Sequence, residues 1–294
     1  MPKNIFIEQN LDSNLQLLAA QRTLYSSAKM YRRLRTFFSV ILAVIGPILF
    51  YYCTEYRPAI TIVGAVWALF SEIFLRCWET ESIKTAATVQ EQFDVDLFDL
   101  PWNKILVDKK VTSEIIQSSN RKFSGNREDL KNWYPDTSSF PYPLNVLICQ
   151  RANIVWDWRL RYAYGFIISI CTAFVLIGGI VFGLFLHVGL FEYLTGIFIP
   201  QFAAIHLGME ISTNQIEIAN EKRQKENKVT SLLEKGLKDP SSASTLQCRQ
   251  VQDFIYHARI TGALVPDFYY NLLKPHYEAD MTSAVETYRK QISK

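Results

Sequence analysis

The sequence has few residues of the kinds that build metal centres and disulfide frameworks. Its 294 residues include five cysteines and four histidines, which are scattered along the chain. Neither a CxxC nor an HExxH pattern occurs, so the ligand spacings typical of zinc sites are missing and we expect no metal. The scattered cysteines also argue against a disulfide framework.

Sequence signals for catalysis, secretion and nucleic-acid binding are missing as well. The chain has no Gly-rich phosphate loop of either usual type and no carboxylate dyad or histidine box, so an enzyme is not expected. The N-terminal string MPKNIFIEQN lacks a charged region followed by an apolar one, so no cleaved signal peptide is predicted. The net charge of +3 is too small to indicate binding of DNA or RNA polymers.

Charged residues make up 20% of the chain and lie mostly between four apolar runs. A spanning helix needs roughly 20 mostly apolar residues. A single run of this length could be a buried core helix, but one chain has too little remaining surface to cover four such helices. We therefore predict an all-α integral membrane protein, with the lipid bilayer as a partner and transmembrane helices at about residues 36–54, 58–76, 163–186 and 190–209.

Short linkers arrange these spans as two helical hairpins, at residues 36–78 and 163–209. Of the 31 Lys and Arg residues, only Arg57 falls in a hairpin loop. Because Lys and Arg near spans are retained in the cytoplasm, the positive charges predict the topology. We expect a multi-pass protein of the inner membrane, with both termini and the long connector in the cytoplasm.

Three segments outside the hairpins are predicted to be cytoplasmic and helical: an N-terminal helix (1–35), an insert (79–162) and a C-terminal region (210–294). In the insert, Val89, Phe93, Leu97 and Leu100 recur at helical spacing. The acidic residues between them are predicted to be a solvated surface, with contacts to basic residues as the alternative; they are Asp94, Asp96 and Asp99. The string EKRQKENK at 221–228 is likewise predicted to be a solvated helix face.

Four polar residues within the spans are candidates for lining a pore; they are Glu72, Glu192, Gln201 and His206. Glu72 has a simpler explanation, because Arg76 lies four residues later on the same helix face. The other three can reach water or bond to neighbouring helices. Gly179 and Gly183 form a GxxxG pattern, which predicts close helix packing, most simply within the chain.

The densest aromatic and cationic cluster, WDWRLRY at 156–162, directly precedes the third span. Trp, Tyr and Arg are typical of the membrane interface, so one interpretation of the cluster is an interfacial belt. Asp157 and Arg161 are four residues apart and are predicted to pair on a helix.

Three strings carry a resemblance to a known family: EQFDVDLFDLPWN (91–103), WYPD followed by CQRANIVWDWRLRY (133–162) and VQDFIYHARITGALVPDFYY (251–270). They resemble the SMODS-associated four-transmembrane effector family, and the resemblance covers most of the chain. It implies a pore-forming effector of CBASS, a bacterial anti-phage system that acts by abortive infection. In such a system a cognate nucleotidyltransferase makes a cyclic oligonucleotide, and this messenger activates the effector at the inner membrane. Four helices are too few to enclose an aqueous path, so such a pore is expected to be a homo-oligomer. No other cofactor is expected.

A cyclic oligonucleotide presents phosphates to Arg or Lys and flat bases to aromatic side chains. The conspicuous strings supply both kinds of group, and the candidate ligand-binding residues are Arg151, Trp156, Arg159, Arg161, Arg259, Phe268 and Tyr269. The alternative is that these residues join the cytoplasmic helices to one another and to lipid headgroups.

Two other functions fit the same topology. One is a constitutive or Ca²⁺-gated channel, which would conduct without any nucleotide. The other is a non-conducting membrane scaffold that recruits cytoplasmic partners through its long helices. Normal membrane potential during toxicity, together with a stoichiometric soluble partner, would indicate the scaffold.

Overall fold

The computed structural model of the chain describes residues 4–292, and among these it contains α-helices and short helical turns but no β-strand. The helices are α1 (Ile5–Glu8), α2 (Asp12–Tyr52), α3 (Arg57–Phe70), α4 (Arg76–Phe98), α5 (Lys104–Val107), α6 (Ser113–Arg121), α7 (Leu144–Phe185), α8 (Leu190–Tyr193), α9 (Ile199–Lys238), α10 (Thr245–Thr261) and α11 (Asp267–Ile292). A single π-helical turn joins α3 to α4 (Ser71–Leu75), and another joins α8 to α9 (Leu194–Phe198). The predicted all-α fold is confirmed.

Four continuous helices are long and apolar enough to cross a membrane: Asp12–Tyr52, Thr54–Phe98, Leu144–Phe185 and Leu190–Lys238. In the most apolar part of Leu144–Phe185 only 11% of the residues are buried within the chain, and for Thr54–Phe98 the share is 17%. Apolar side chains that the chain does not cover require lipid or another copy of the protein. The predicted four-span architecture is therefore confirmed.

The chain divides into two compact units. The polar unit consists of Met1–Ser26, Ser82–Arg161 and Ile218–Lys294. The membrane unit consists of Ser27–Glu81 and Tyr162–Glu217, ranges that include both predicted hairpins.

Close helix packing in the membrane unit centres on Pro200 of α9. A Cβ atom added at Gly46 would lie 2.6 Å from Pro200 Cβ, and one added at Gly64 would lie 3.3 Å from Pro200 Cα. Gly46 therefore lets α2 approach α9 more closely than a larger residue would permit, and Gly64 leaves little room for a side chain between α3 and α9. A polar contact joins the same helices α2 and α3, because Trp67 Nε1 donates a hydrogen bond to Ser39 Oγ at 3.0 Å.

The core of the polar unit is built around α4. From Ala86 to Phe98 every residue of this helix is buried except Asp96. Phe93, Leu97 and Leu100 of the predicted stripe are part of this core, and Val89 is buried as well. The same core contains side chains from α2, α7, α9 and α10 such as Leu18, Leu147, Leu233 and Ile255. Pro266 separates α10 from α11, as its lack of an N–H donor predicts.

Each of the two predicted solvated faces contains one buried charge, and for these two residues the prediction of a solvated surface is wrong. Asp94 of α4 and Lys222 of α9 are both buried, although each lies in a strongly polar stretch. The physical reason is that each charge has a buried partner of opposite sign, Arg259 for Asp94 and Asp157 for Lys222. For Asp94 the alternative prediction, contact with a basic residue, matches the structure. Asp96 and Asp99 are exposed, as predicted.

Candidate functional site

A buried ionic network joins α4 to α10 in the polar unit. Arg259 Nη1 lies 2.6 Å from Asp94 Oδ2, and Arg249 Nη2 lies 2.5 Å from Glu91 Oε1. Between the two pairs, Gln252 Nε2 donates hydrogen bonds to Glu91 Oε2 at 2.8 Å and to Asp94 Oδ2 at 3.0 Å. The network thus places two carboxylates, two guanidinium groups and an amide out of contact with water.

Helical spacing explains why these side chains converge. Arg249, Gln252 and Arg259 are separated by three and seven residues, so they lie on one face of α10. Glu91 and Asp94 are three apart and share a face of α4 in the same way. Because removing one member of a buried ion pair leaves an uncompensated charge, such a pair fixes the alignment of its two helices.

Burial shapes the ionisation of the groups around Asp94. The Tyr134 hydroxyl donates a 2.7 Å hydrogen bond to Asp94 Oδ1, and burial together with this carboxylate holds the pKa of Tyr134 well above its ordinary value. Burial alone would lower the pKa of Arg259, but the neighbouring Asp94 outweighs it and raises that pKa further. Tyr134 is therefore neutral and Arg259 charged throughout the physiological pH range.

A second buried group connects α7 to α9 and to the end of α10. Asp157 Oδ2 lies 2.5 Å from Arg161 Nε and 2.6 Å from Lys222 Nζ, and Arg161 Nη1 donates a hydrogen bond to the Ala263 carbonyl at 2.7 Å. Burial disfavours the charged carboxylate, but the two cations outweigh this effect and hold the pKa of Asp157 well below its usual range. The predicted pairing of Asp157 with Arg161 is present, and Lys222 joins it.

All four arginines predicted to bind a ligand have protein partners, and three of them are buried or half-buried. Arg161 and Arg259 are buried in the ion pairs just described. Arg151 is half-buried, donates to Thr230 Oγ1 at 2.9 Å and lies 3.2 Å from Glu226 Oε1. These contacts match the alternative interpretation of the three residues, in which they join helices to one another.

The remaining predicted residues lie where α7 meets α11. The Trp156 ring stacks on Tyr270 with ring centroids 5.6 Å apart and contacts Tyr277 at 5.7 Å. Arg159 Nη1 lies 3.0 Å from Asp280 Oδ2, in a pair whose side chains are 43% and 62% exposed. We call these five residues the α7–α11 face.

Phe268 and Tyr269 lie in the first turn of α11. Phe268 is largely exposed, whereas Tyr269 is half-buried. Of the predicted residues, Trp156 and Arg159 on α7 therefore belong to the α7–α11 face, and Phe268 and Tyr269 lie at the start of α11.

A second charged cluster lies in the membrane unit and centres on Arg35, which is buried. Its guanidinium contacts three carboxylates: Glu79 at 3.0 Å, Glu210 at 2.9 Å and Glu72 at 3.2 Å. Arg32 also pairs with Glu79. The short basic string before the first span therefore has a structural role in addition to its predicted effect on topology.

Within this cluster, three side chains have the chemistry of metal ligands. One ligand atom each from Glu72, His206 and Glu210 lies within 4.8 Å of the other two. Both carboxylates are already paired, with Arg35 and with Arg76. A divalent cation would have to displace these arginines, so the cluster is built for internal charge neutralisation. The predicted pair between Glu72 and Arg76 is part of it.

The other polar residues of the spans differ in accessibility. Gln201 is buried, its Nε2 donates to the Ala43 carbonyl at 3.3 Å, and its Oε1 has no hydrogen-bond partner in the described part of the chain. Gly179 lies against this side chain, since a Cβ there would be 2.2 Å from Gln201 Oε1, and Gly183 lies against Tyr193 in the same way. The GxxxG pattern thus packs within the chain.

His206 and Glu192 are more accessible than Gln201. The side chain of His206 is 47% exposed, stacks on Phe202 with centroids 5.9 Å apart and lies 3.8 Å from Glu72. Glu192 lies 3.6 Å from Arg57, the one basic residue of the hairpin loops.

Sequence reasoning did not single out Glu79, Glu91, Tyr134 or Lys222 as partners in these clusters. One available signal was spacing, because Glu72 and Glu79 are seven residues apart on one helix face. Another was the position of Glu91 and Asp94 beside Phe93 in a strongly apolar stripe, where a charge requires a buried partner. No comparable local signal marks Tyr134, which lies in a loop.

The architecture defines the class of this protein: an all-helical integral membrane protein with four spans and a separate polar unit that has its own core. A profile of the SMODS-associating 4TM effector domain matches residues 3–288. The chain belongs to this family, and the resemblance noted in the sequence is confirmed.

Comparison with curated proteins gives one similar sequence of this kind. It is a probable CBASS effector molecule from Bacillus cereus (strain VD146), 27% identical over 270 residues, which make up 90% of each chain. No solved structure matches the chain.

Proposed function

We propose that this protein is a CBASS effector that forms or opens an oligomeric pore in the inner membrane when it binds a cyclic oligonucleotide. The observation that carries the proposal is the combination of four apolar spans, two of them with less than a fifth of their most apolar part buried, and a polar helical unit, in a chain of the SMODS-associating 4TM effector family. The similar protein from Bacillus cereus, named as a probable CBASS effector, supports the same pathway. In this proposal both termini and the polar unit face the cytoplasm, where a nucleotidyltransferase releases its messenger.

The need for several copies follows from the membrane unit. Four helices cannot enclose an aqueous path and still bury their own polar groups, so a pore requires a symmetric assembly. The half-exposed ring of His206 supports this argument, because a polar side chain facing lipid is costly. We propose that His206 faces a neighbouring copy or the aqueous path. Gln201 is buried within the chain, so it would reach the path only after the helices repack.

We propose that the messenger binds on the α7–α11 face and that Arg159 contacts one of its phosphates. Arg161 and Arg259 already have buried partners, whereas the exposed pair of Arg159 with Asp280 contributes at most about 1 kcal/mol. A phosphate could therefore replace Asp280 at small cost. The aromatic rings of Trp156 and the exposed Phe268 offer surfaces on which a base can stack.

Binding on this face can favour a conducting state only through a higher affinity for that state. The pair of Arg159 on α7 with Asp280 on α11 is exposed to solvent, so a messenger that replaces this contact would change how α11 is held against α7. We therefore expect replacement of Arg159 to affect both messenger binding and ion conduction.

The test is reconstitution of the purified protein into liposomes that contain a fluorescent ion indicator. We expect leakage only when a cyclic di- or trinucleotide is added, and we expect Arg159→Ala to lower messenger affinity and leakage together. Arg127→Ala is the matched control, since Arg127 is an exposed arginine of the same unit outside this face. Equal affinity of wild type and a folded Arg159→Ala protein would remove Arg159 from the site.

The same assay separates the competing functions. Steady leakage without nucleotide would indicate a constitutive channel, and leakage that requires only Ca²⁺ would indicate a Ca²⁺-gated one. No leakage under any condition, combined with toxicity and normal membrane potential in cells, would indicate a non-conducting scaffold. His206→Leu should change conductance without changing messenger affinity if the ring lines the path.

A further inference from the structure

A cavity of about 230 Å³ lies at the hairpin-loop end of the membrane unit. Its walls come from the ends of the spanning helices and from both hairpin loops, and they consist of Pro47, Phe50, Tyr51, Arg57, Phe182, Leu186, His187, Val188, Glu192 and Ile197. Most of these side chains are apolar or aromatic, and Arg57 and Glu192 supply charges of opposite sign. The volume is below the roughly 300–1,000 Å³ of typical small-molecule pockets, so the cavity can enclose only part of a larger molecule.

Arg57 is held in place by Phe50, but Arg57 and Glu192 do not form a hydrogen bond with each other. Arg57 Nε donates a 3.0 Å hydrogen bond to the Phe50 carbonyl, and its guanidinium lies 5.1 Å from the centre of the Phe50 ring. Arg57 Nη1 is 3.6 Å from Glu192 Oε1, which is too far for a hydrogen bond. Each group can therefore accept an additional partner without breaking a direct hydrogen bond between the two.

Aromatic side chains place this end of the unit at the level of lipid headgroups. Tyr51, Tyr52 and Tyr56 are exposed around the first hairpin loop, and Phe191 is exposed beside the second. Amphipathic aromatic rings of this kind mark the boundary between hydrocarbon and water. A molecule in the cavity would thus meet charge at headgroup level and apolar walls from Phe182, Leu186 and Ile197.

We propose that this cavity binds a glycerophospholipid whose headgroup carries an amine. Arg57 would contact the phosphate, Glu192 would contact the ammonium group, and the upper part of an acyl chain would lie against the apolar wall. A phosphate-bearing headgroup without an amine would bring only negative charge close to the Glu192 carboxylate. The chemistry of the pair therefore selects phosphatidylethanolamine over phosphatidylglycerol, independently of whether the protein conducts ions.

The experiment measures bound lipid by native mass spectrometry after reconstitution in equal amounts of phosphatidylethanolamine and phosphatidylglycerol with identical acyl chains. For the wild-type protein, without any messenger, we expect about two- to five-fold more bound phosphatidylethanolamine, the preference that one partly exposed ion pair supplies. Glu192→Gln should bring the ratio close to one. Arg57→Gln should lower the amount of both lipids.

Two further variants keep the test decisive. Glu55→Gln removes an exposed carboxylate from the adjacent loop without touching the cavity, and it should keep the wild-type ratio. Val188→Trp fills the cavity and leaves both charges in place, so it should reduce both bound lipids even if Arg57→Gln fails to fold. The proposal is overturned if Glu192→Gln keeps the wild-type preference, if Glu55→Gln abolishes it equally, or if Val188→Trp retains as much lipid as wild type.

Discussion

Replacing Arg259 by alanine tests whether the conspicuous arginines of the polar unit are structural or ligand-binding. Arg259 and Asp94 form an ion pair in which the side chains are 8% and 0% exposed. Removing one partner leaves the other charge buried and uncompensated, a loss of about 3–5 kcal/mol. Arg159 is the natural comparison, since it also pairs with an aspartate but at the surface, where its loss costs at most about 1 kcal/mol.

The assay is thermal unfolding in detergent, followed by intrinsic tryptophan fluorescence, with messenger binding measured on the same samples by calorimetry. For a unit of this size 1 kcal/mol corresponds to about 2–4 °C, so Arg259→Ala should lower the apparent Tm by about 6–20 °C. Arg159→Ala should change the Tm by no more than about 4 °C but should weaken messenger binding. The double variant Asp94→Asn with Arg259→Gln should be less destabilised than Arg259→Ala, because it buries no unpaired charge.

The structural role assigned to Arg259 is refuted if Arg259→Ala unfolds at the wild-type temperature. If the Arg259→Ala protein were stable but had lost affinity for the messenger, Arg259 would be a ligand-binding residue, as the sequence predicted. Conversely, a protein that is destabilised but binds normally below its Tm would leave the ion pair as the sole function of this residue.

Two other predictions concern packing and pH dependence. Gly179→Ala should destabilise the membrane unit by about 0.5–1.5 kcal/mol more than Gly178→Ala in thermal unfolding, because the new methyl group displaces the Gln201 amide from its hydrogen bond to the Ala43 carbonyl, whereas nothing lies within 4 Å of Gly178; equal Tm values for the two variants would contradict this packing. Burial and Asp94 raise the folded-state pKa of Tyr134 above its unfolded value, so its contribution to stability should be complete below about pH 10 and should decrease as the pH rises further. Tyr134→Phe should remove that part of the decrease and cost about 1.5–3 kcal/mol at neutral pH through the lost hydrogen bond, and an unchanged alkaline profile would show that Tyr134 is not its source.

The sequence was sufficient to predict the spans because long apolar runs are a local signal. The apolar run at residues 163–186 is long enough to cross a bilayer, and the short linkers force neighbouring spans into hairpins. The stripe of Val89, Phe93 and Leu97 was predictable for the same reason, since helical periodicity is visible in a short window.

The charged clusters were not predictable in the same way. A buried Asp94 and an exposed Asp96 differ only in the direction of their side chains on α4, and this direction matters only once α10 is in place. Choosing Arg259 as the partner of Asp94, out of 31 basic residues, requires the tertiary arrangement. The candidate messenger-binding residues were chosen by residue type, and they therefore included Arg161 and Arg259, which form buried ion pairs within the fold.

The polar unit is discontinuous, since it is assembled from three stretches of chain that alternate with the two stretches of the membrane unit. During synthesis Asp94 leaves the ribosome long before Arg259, with the second pair of spans still to be made between them. A nascent or truncated chain can thus insert its first helices in lipid while Glu91 and Asp94 still lack their partners Arg249 and Arg259. The polar unit can therefore complete its core only when translation is essentially finished, and a truncated copy lacks that core.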